Sequence, residues 1–232
     1  MKRPFDKFFH AAMLYTLEVL MEESGALMGY TESDEMTLMW YSEEYKSQTF
    51  FDGKIAKMNS VLAGLCAAKF NDLWGKYCDG DYLKAVPGFP VFDCRVWQVP
   101  SKMEAANVFV WRELDATRNS IQMAAQSVCS DKELHGKNVK EQQEMMFQRA
   151  GINWNDYDDK FKRGQYLRRQ KLLRSFTERE IEKLPEYHEA RTNPDLRIER
   201  QVIAELKMPT ITKVTNRVEV FFDGADPVVE EE

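Results

Sequence analysis

Residues 26–41, ALMGYTESDEMTLMWY, decide the fold class. Two short β-prone runs flank a polar centre, TESDE, which predicts an antiparallel hairpin with carboxylates at its tip. Ahead of it, FDKFFHAAMLYTLEVLMEES carries apolar residues at helical spacing, with Pro4 expected in the first turn and Gly25 at the stop. Behind it, GKIAKMNSVLAGLCAAKF predicts a second amphipathic helix from Asp52 to about Asn71. Its small residues Ala63, Gly64, Ala67 and Ala68 would let it lie close on a sheet.

Residues 75–90 are turn-rich, and VFDCRVWQVP (91–100) predicts a strand ended by Pro100. Ser101 with Glu104 predicts a capping box opening a long helix, SKMEAANVFVWRELDATRNSIQMAAQS, and Asn138 with Glu141 opens another through Phe147. After Pro185 come a polar stretch, the β-prone runs VIAEL and VTNRVEVFFD, and an acidic tail, DPVVEEE, expected to fray. The order helix, hairpin, helix, strand, helix suits an α+β protein with helices on one face of an antiparallel sheet. No G-x-G-x-x-G, P-loop or H-E-x-x-H is present.

A chain of 232 residues, 44% hydrophobic and 12% aromatic, can bury a real core, which excludes disordered, collagen-like and disulfide-scaffold classes. Cys66, Cys78, Cys94 and Cys129 are scattered without a C-x-x-C pair, which favours reduced thiols in a cytosolic compartment. With no long apolar run, a soluble intracellular protein without a membrane span is expected. The net charge of −6 argues against a basic coat for nucleic acid, but binding depends on where charge sits.

Locally, residues 160–174, KFKRGQYLRRQKLLR, gather Lys160, Lys162, Arg163, Arg168, Arg169, Lys171 and Arg174 with no acid among them. With Tyr166 inside the run, this reads as a phosphate-binding strip with a base-stacking ring, or as a solvated face paired with the acids of TEREIEKLPEYHE downstream. His10, His135 and His188 have no metal-ligand spacing and support no Ser/His/Asp or Cys/His mechanism. The S-D-E tip, followed by Lys54 and Lys57 on one helix face, offers hard oxygen ligands and cations of the kind Mg²⁺-nucleotide chemistry uses; Asp and Glu at turns and Lys at helix starts also occur for structural reasons.

YTESDEMTLMW, FDGKIAKMNSVLAG, FDCRVWQVP, VFVWRELDATRNSIQMAAQS and ELHGKNVKEQQEMMFQRAGINWND, with KRG just after, are collinear from Pro4 to Arg169. In that order they resemble the tRNA(His) guanylyltransferase family, most of all its bacterial and phage-type Thg1-like members. The resemblance implies a polymerase-like palm, ferredoxin-like in its antiparallel sheet, over residues 1–130, and a C-terminal helical and β extension over 131–232 that carries the tRNA-contacting strip. It also implies a 3′-to-5′ nucleotide polymerase. Such an enzyme activates a tRNA 5′ end with ATP or GTP and extends it, using two Mg²⁺ ions, either to guanylylate tRNA(His) or to repair truncated ends.

By the same resemblance, Asp34 is the metal-bridging carboxylate and Glu35 the second catalytic acid. Ser33, Lys54, Lys57 and Asn119 contact nucleotide. Asp93 and Arg95 match an F-D-x-R strand, and Trp111, Arg112, Asp115 and Asn119 a W-R-x-x-D-x-x-x-N helix bordering the tRNA end. Thr117 stands where eukaryotic members carry histidine, which departs from strict tRNA(His) specificity. Arg163 and Gly164 match a late K/R-G element, and Arg112, Arg163, Arg168, Arg169 and Lys171 are the RNA-binding set. Cytoplasmic homotetramers are implied. Family members begin with a strand ending in R-x-D-G that supplies another metal-binding Asp; this sequence starts at the following segment, RPFD, so the sheet is expected to lack its first strand. The alternative is a catalytically weak tRNA- or nucleotide-binding protein with a degenerate palm.

Overall fold

The computed structural model describes residues 3–43, 49–77 and 88–230. Helix α1 (Lys7–Ser24) is capped by Asp6, whose Oδ1 accepts from the amides of Phe8 and Phe9 at 2.9 and 3.1 Å. Pro4 therefore lies ahead of the helix, not in its first turn. Gly25 ends it at φ 70°.

The predicted hairpin forms. β1 (Met28–Glu32) and β2 (Glu35–Met39) pair antiparallel from Met28↔Met39 to Glu32↔Glu35, which leaves Ser33 and Asp34 as a two-residue turn. Ser33 sits at φ 45°, the positive φ that tight hairpin turns require. The sheet is antiparallel with order β2-β1-β3-β4, where β3 is Gln165–Ser175 and β4 is Arg197–Leu206. Because β3 pairs with β1 from Met28↔Arg168 to Thr31↔Gln165, the sheet is assembled from both sides of residue 130.

Helices cover both faces of the sheet, not one. All five residues of β1 are buried, and a strand buried on both sides needs a layer on each. On one side, a Cβ at Gly29 would lie 2.5 Å from Met21 Sδ and 3.0 Å from Leu17, so α1 rests directly on the strand. On the other, Met28 and Tyr30 pack with Ala105, Ala106 and Phe109 of α3 (Lys102–Gln126). Helix α2 (Ile55–Tyr77) lies antiparallel along α1. Phe9 meets Phe70 and Trp74 at ring distances of 5.6 and 5.8 Å at one end, and Leu20 packs with Met58, Leu62 and Cys66 at the other.

Ser101 caps α3 by accepting from the Glu104 amide at 3.2 Å. Helix α4 (Val139–Ala150) opens with the full Asn138–Glu141 capping box and runs past Phe147 to Gly151 at φ 65°. Its Met146 packs on Ile121, Ala124 and Ala125 at the end of α3.

Three further expectations are corrected. Residues 91–100 form no ladder among the described residues; their alternation instead turns Phe92, Cys94 and Val96 onto the α1–α2 layer. VTNRVEVFFD is not a strand, because Glu219–Asp223 is a π-helical turn that buries Val220 and Phe221 against Phe109. The tail is anchored through Glu230: Val214 bridges to Val229, and the Val228 amide donates to Asn216 Oδ1 at 2.8 Å. The VIAEL run is part of β4.

Among the described residues no helix is long and apolar enough to cross a membrane. Cys66, Cys94 and Cys129 are free thiols, with Cys66 pushed up to about 12 by burial, while Cys78 and residues 78–87 of the turn-rich stretch lie outside the described residues.

Candidate active site

The hairpin turn delivers Ser33 and Asp34 to the mouth of a cavity of about 320 Å³. Its walls are apolar, with Phe5, Phe9, Phe161 and Met123 among them, and Phe5 stacks on Phe161 at 5.2 Å with an interplanar angle of 5°. Asn119 and Ser120 of α3 also line it. The Asp34 side chain is exposed and has no hydrogen-bond or ion-pair partner among the described residues.

Glu32, not singled out by sequence reasoning, is a buried carboxyl of this cavity at 7% exposure, as is the Asp6 cap of α1. Burial pushes it up to about 7; the Arg112 guanidinium and a hydrogen bond from Asn119 oppose that rise, and the Asp115 and Asp34 carboxylates add to it. Glu32 shares a strand face with Met28 and Tyr30, so it is directed at α3, and Glu35 lies directly opposite it in the ladder. Arg112 ion-pairs with Glu35, and its charge acts on Glu32 as well. The signal for Glu32 was its position in β1: a strand covered on both faces leaves no solvent side for a charge.

His10, in α1, also lines the cavity. Its Nε2 and Gln165 Oε1 are 2.8 Å apart, and burial holds its pKa below the usual value. Just beyond the cavity residues Lys160 and Phe161, Gly164 sits at φ 77°, where a Cβ would lie 2.6 Å from the Tyr30 ring and 2.7 Å from Thr31 O. The Tyr30 hydroxyl donates to Arg163 O at 2.7 Å, and Ser120 Oγ to Lys162 O at 3.0 Å, which ties residues 162–164 to β1 and α3.

The remaining expected site residues are dispersed. Lys54 pairs with Asp52 at 3.6 Å and Lys57 lies over the Phe51 ring at 4.4 Å. Both stand at the Leu20–Met58 end of the helix pair, whereas the cavity lies at the Phe9–Phe70 end; twelve residues of α2 separate Met58 from Phe70, roughly 18 Å of helix. Asp93 and Arg95 pair with each other at 3.1 Å on the exposed side of their segment. Trp111 is 73% exposed on α3, and Asp115 pairs with Arg118 there.

The basic run is largely engaged within the fold. Arg163 pairs with Asp159 at 2.6 Å; Arg168, 8% exposed, donates to the carbonyls of Val220 and Ala225 at 3.2 and 2.7 Å. Arg169 donates to the carbonyls of Ala26 and Met21 at the end of α1, at 3.1 and 2.5 Å. Arg174 pairs with Glu180 at 2.7 Å, as the reading of a face matched to downstream acids expects. Lys171 pairs with Glu199 at 2.9 Å but is 68% exposed. Tyr166 is buried and offers no stacking ring to solvent.

Mg²⁺ is commonly held by one or two carboxylates, with phosphate oxygens and water completing the shell. Among the described residues no group of three or more His, Cys, Asp or Glu side chains is poised for a metal. The unpaired Asp34 carboxylate at the cavity mouth fits a site completed by a nucleotide's own phosphates.

An aromatic-walled cavity of this volume with the Asp34 carboxylate at its mouth is a candidate small-ligand site. Residues 1–100 match the family model Thg1: tRNAHis guanylyltransferase. A bacterial tRNA(His) guanylyltransferase (Thg1)-like protein solved in complex with ATP is 35% identical, with a TM-score of 0.63 over 72% of this chain and 71% of that one. A bacterial Thg1-like protein solved in complex with GTP is 26% identical, with a TM-score of 0.63 over 91% of this chain and 77% of that one. The tRNA(His) guanylyltransferase of Neurospora crassa is 25% identical over 208 residues, 84% of this chain and 69% of its own. The chain belongs to the tRNA(His) guanylyltransferase family. It spans 59%, 69% and 66% of the lengths of its curated relatives from mimivirus, Neurospora crassa and Saccharomyces cerevisiae.

Proposed function

We propose that the protein is a nucleotidyltransferase that adds nucleotides to tRNA 5′ ends in the 3′-to-5′ direction, as a tRNA(His) guanylyltransferase or an end-repair enzyme, after activation with ATP or GTP. The observation that carries this reading is the convergence of Glu32, Ser33, Asp34 and Asn119 on one aromatic-walled cavity. The base lies between the Phe5, Phe9 and Phe161 walls, and the triphosphate reaches the hairpin turn. Ser33 donates to phosphate or ribose oxygens, Asn119 bounds the nucleotide from α3, and Asp34 is the residue that would hold Mg²⁺. When bound, Mg²⁺ neutralises phosphate charge and lowers the pKa of an attacking hydroxyl. Arg112 fixes Glu35 beside the turn, so the second acid supports the first without moving.

Lys54 and Lys57 stand too far along α2 to reach the same triphosphate; they serve a second nucleotide or the tRNA chain. Lys171 remains exposed for RNA phosphate. The reading extends to a polymerase-like palm for the sheet and to tetrameric assembly in the cytoplasm, for which exposed Trp111 and Leu114 on α3 supply an apolar face.

Incubation of 5′-triphosphorylated or 5′-truncated tRNA with labelled GTP and Mg²⁺ tests the activity. Extension by the wild type, abolished in Asp34→Ala, is expected; no extension by either protein overturns it. A second reading, a tRNA- or nucleotide-binding protein of little catalytic power, is favoured by Asp34 being the one exposed acid among the residues that line the cavity. Tight nucleotide binding without extension would select it.

A further inference from the structure

We infer that Cys66 of α2 and Cys94 of the 91–100 segment form a reversible disulfide that fastens this segment to the helix. Their placement follows from one ring contact and two backbone repeats. Phe92 meets Phe70 with ring centroids 5.5 Å apart. Of the three inward residues of the segment, Phe92 reaches the Phe70–Trp74 end of α2, while Cys94 and Val96 pack only on the side of Met58, Leu62 and Cys66, so the segment runs back along the helix. Cys66 lies one turn before Phe70, roughly 6 Å along α2. Cys94 lies two residues beyond Phe92 on the same side of an extended chain, roughly 6.6 Å further on. The two steps match, so Cys94 comes down on the turn of α2 that carries Cys66. Cys94 is near enough to add to the rise that burial causes in the Cys66 pKa.

Cys66 is 7% exposed and Cys94 half-buried, so Cys94 meets an oxidant first. Burial, helped by the Asp93 carboxylate, pushes Cys94 up too, which keeps both sulfurs protonated near neutral pH and the pair reduced until oxidant accumulates. With oxidised glutathione, the Cys94 thiol gives up its proton and its sulfur attacks one glutathione sulfur. The S–S bond of glutathione breaks, one glutathione leaves as thiol, and Cys94 carries the other in a mixed disulfide. The Cys66 sulfur, losing its proton, then attacks Cys94 and the second glutathione leaves as thiol. The protein gives up two electrons and two protons, and glutathione disulfide takes both. Residues 91–100 make no ladder among the described residues and rest on α2 through Phe92, Cys94 and Val96, so a covalent tie there suppresses local opening. Phe70 also meets Phe9, which lines the cavity, so the tie reaches that wall.

The test is exposure of the intact chain to oxidised glutathione, in buffer and in urea, followed by alkylation, digestion and peptide mapping by mass spectrometry. The folded chain is expected to lose two hydrogens and to yield the peptide pair joined through Cys66 and Cys94, separated again by dithiothreitol. In urea the same oxidant should give mixed pairings among the four cysteines, with Cys66–Cys94 not favoured. Because Arg95 is exposed, tryptic cutting after it should slow about tenfold once the link forms, and Cys94→Ser should remove that protection. A folded chain that stops at the glutathione adduct of Cys94, or that joins Cys94 to Cys78 or Cys129 instead, overturns the disulfide. So does a Cys66–Cys94 link no more abundant in buffer than in urea. Unchanged cutting at Arg95 in the linked chain overturns the fastening of the segment.

Discussion

The Tyr166 hydroxyl donates a 2.9 Å hydrogen bond to Glu113, and the same carboxylate accepts the Ile211 amide at 2.9 Å. Glu113 is 3% exposed, so three segments distant in sequence meet on one buried acid. Burial raises its pKa against the two hydrogen bonds and the Arg163 charge that favour the anion. The folded state therefore holds this proton more firmly than the unfolded chain. Its contribution to stability is complete below the ordinary carboxylate pKa and is lost as pH climbs through the raised value. Urea midpoints across pH should fall over that window in the wild type and fall less in Glu113→Gln. Glu113→Ala, which strands the Tyr166 hydroxyl and the Ile211 amide, should cost about 3 kcal/mol.

Gly164 admits no side chain. At φ 77°, with the Tyr30 ring and Thr31 O within 2.7 Å of any added Cβ, Gly164→Ala must distort β1 or the loop. A loss of about 3 kcal/mol is expected by chemical denaturation, whereas alanine at Gly136, where a Cβ meets nothing within 4 Å, should cost only its backbone strain, about 1 kcal/mol.

Asp34 separates activity from stability. Its exposed carboxylate has no partner in the described fold, so Asp34→Ala should shift the denaturation midpoint by less than about 0.5 kcal/mol. In tRNA extension the same change should remove at least roughly 10³-fold in rate, the scale at which loss of an electrostatic catalytic contact is felt. A stable protein with undiminished extension would reject the role given to this acid.

Lysine and arginine in the basic run should behave differently. Lys171→Ala should weaken tRNA binding and lower the slope of log affinity against log salt by about 1, with little change in stability. Arg169→Ala should instead destabilise the fold by about 2 kcal/mol, because the Ala26 carbonyl loses its side-chain donor and the Met21 carbonyl keeps only the Gly25 amide. Salt titration and urea denaturation on both variants distinguish the two.

Much of this architecture was legible locally. The apolar spacing of α1, the turn residues between β1 and β2, and the Ser101 and Asn138 caps are each decided within a few residues, and each is present. Long-range placement was not legible. Nothing local says that β3 pairs with β1, and without that pairing Arg168 and Arg169 look like surface cations; in the fold they bind carbonyls of the C-terminal segment and of α1. The same gap put Lys54 and Lys57 beside Asp34, because nearness in sequence stood in for nearness in space while the antiparallel run of α1 and α2 carries them to the other end. Residues 91–100 show the limit of alternation as a signal, since Phe92, Cys94 and Val96 need only a helical layer to cover them.

The β1–β3 pairing sets a schedule for the nascent chain. Met28 leaves the ribosome well over a hundred residues before its partner Arg168, and the hairpin must wait with one edge unpaired through the synthesis of α2, α3 and α4. Lys160 and Phe161, which line the cavity, and Gln165, which holds His10, arrive last of its parts. Ligand binding should thus appear late and abruptly during translation, and ribosome-held intermediates ending near residue 150 should expose a sticky strand for chaperones to shield.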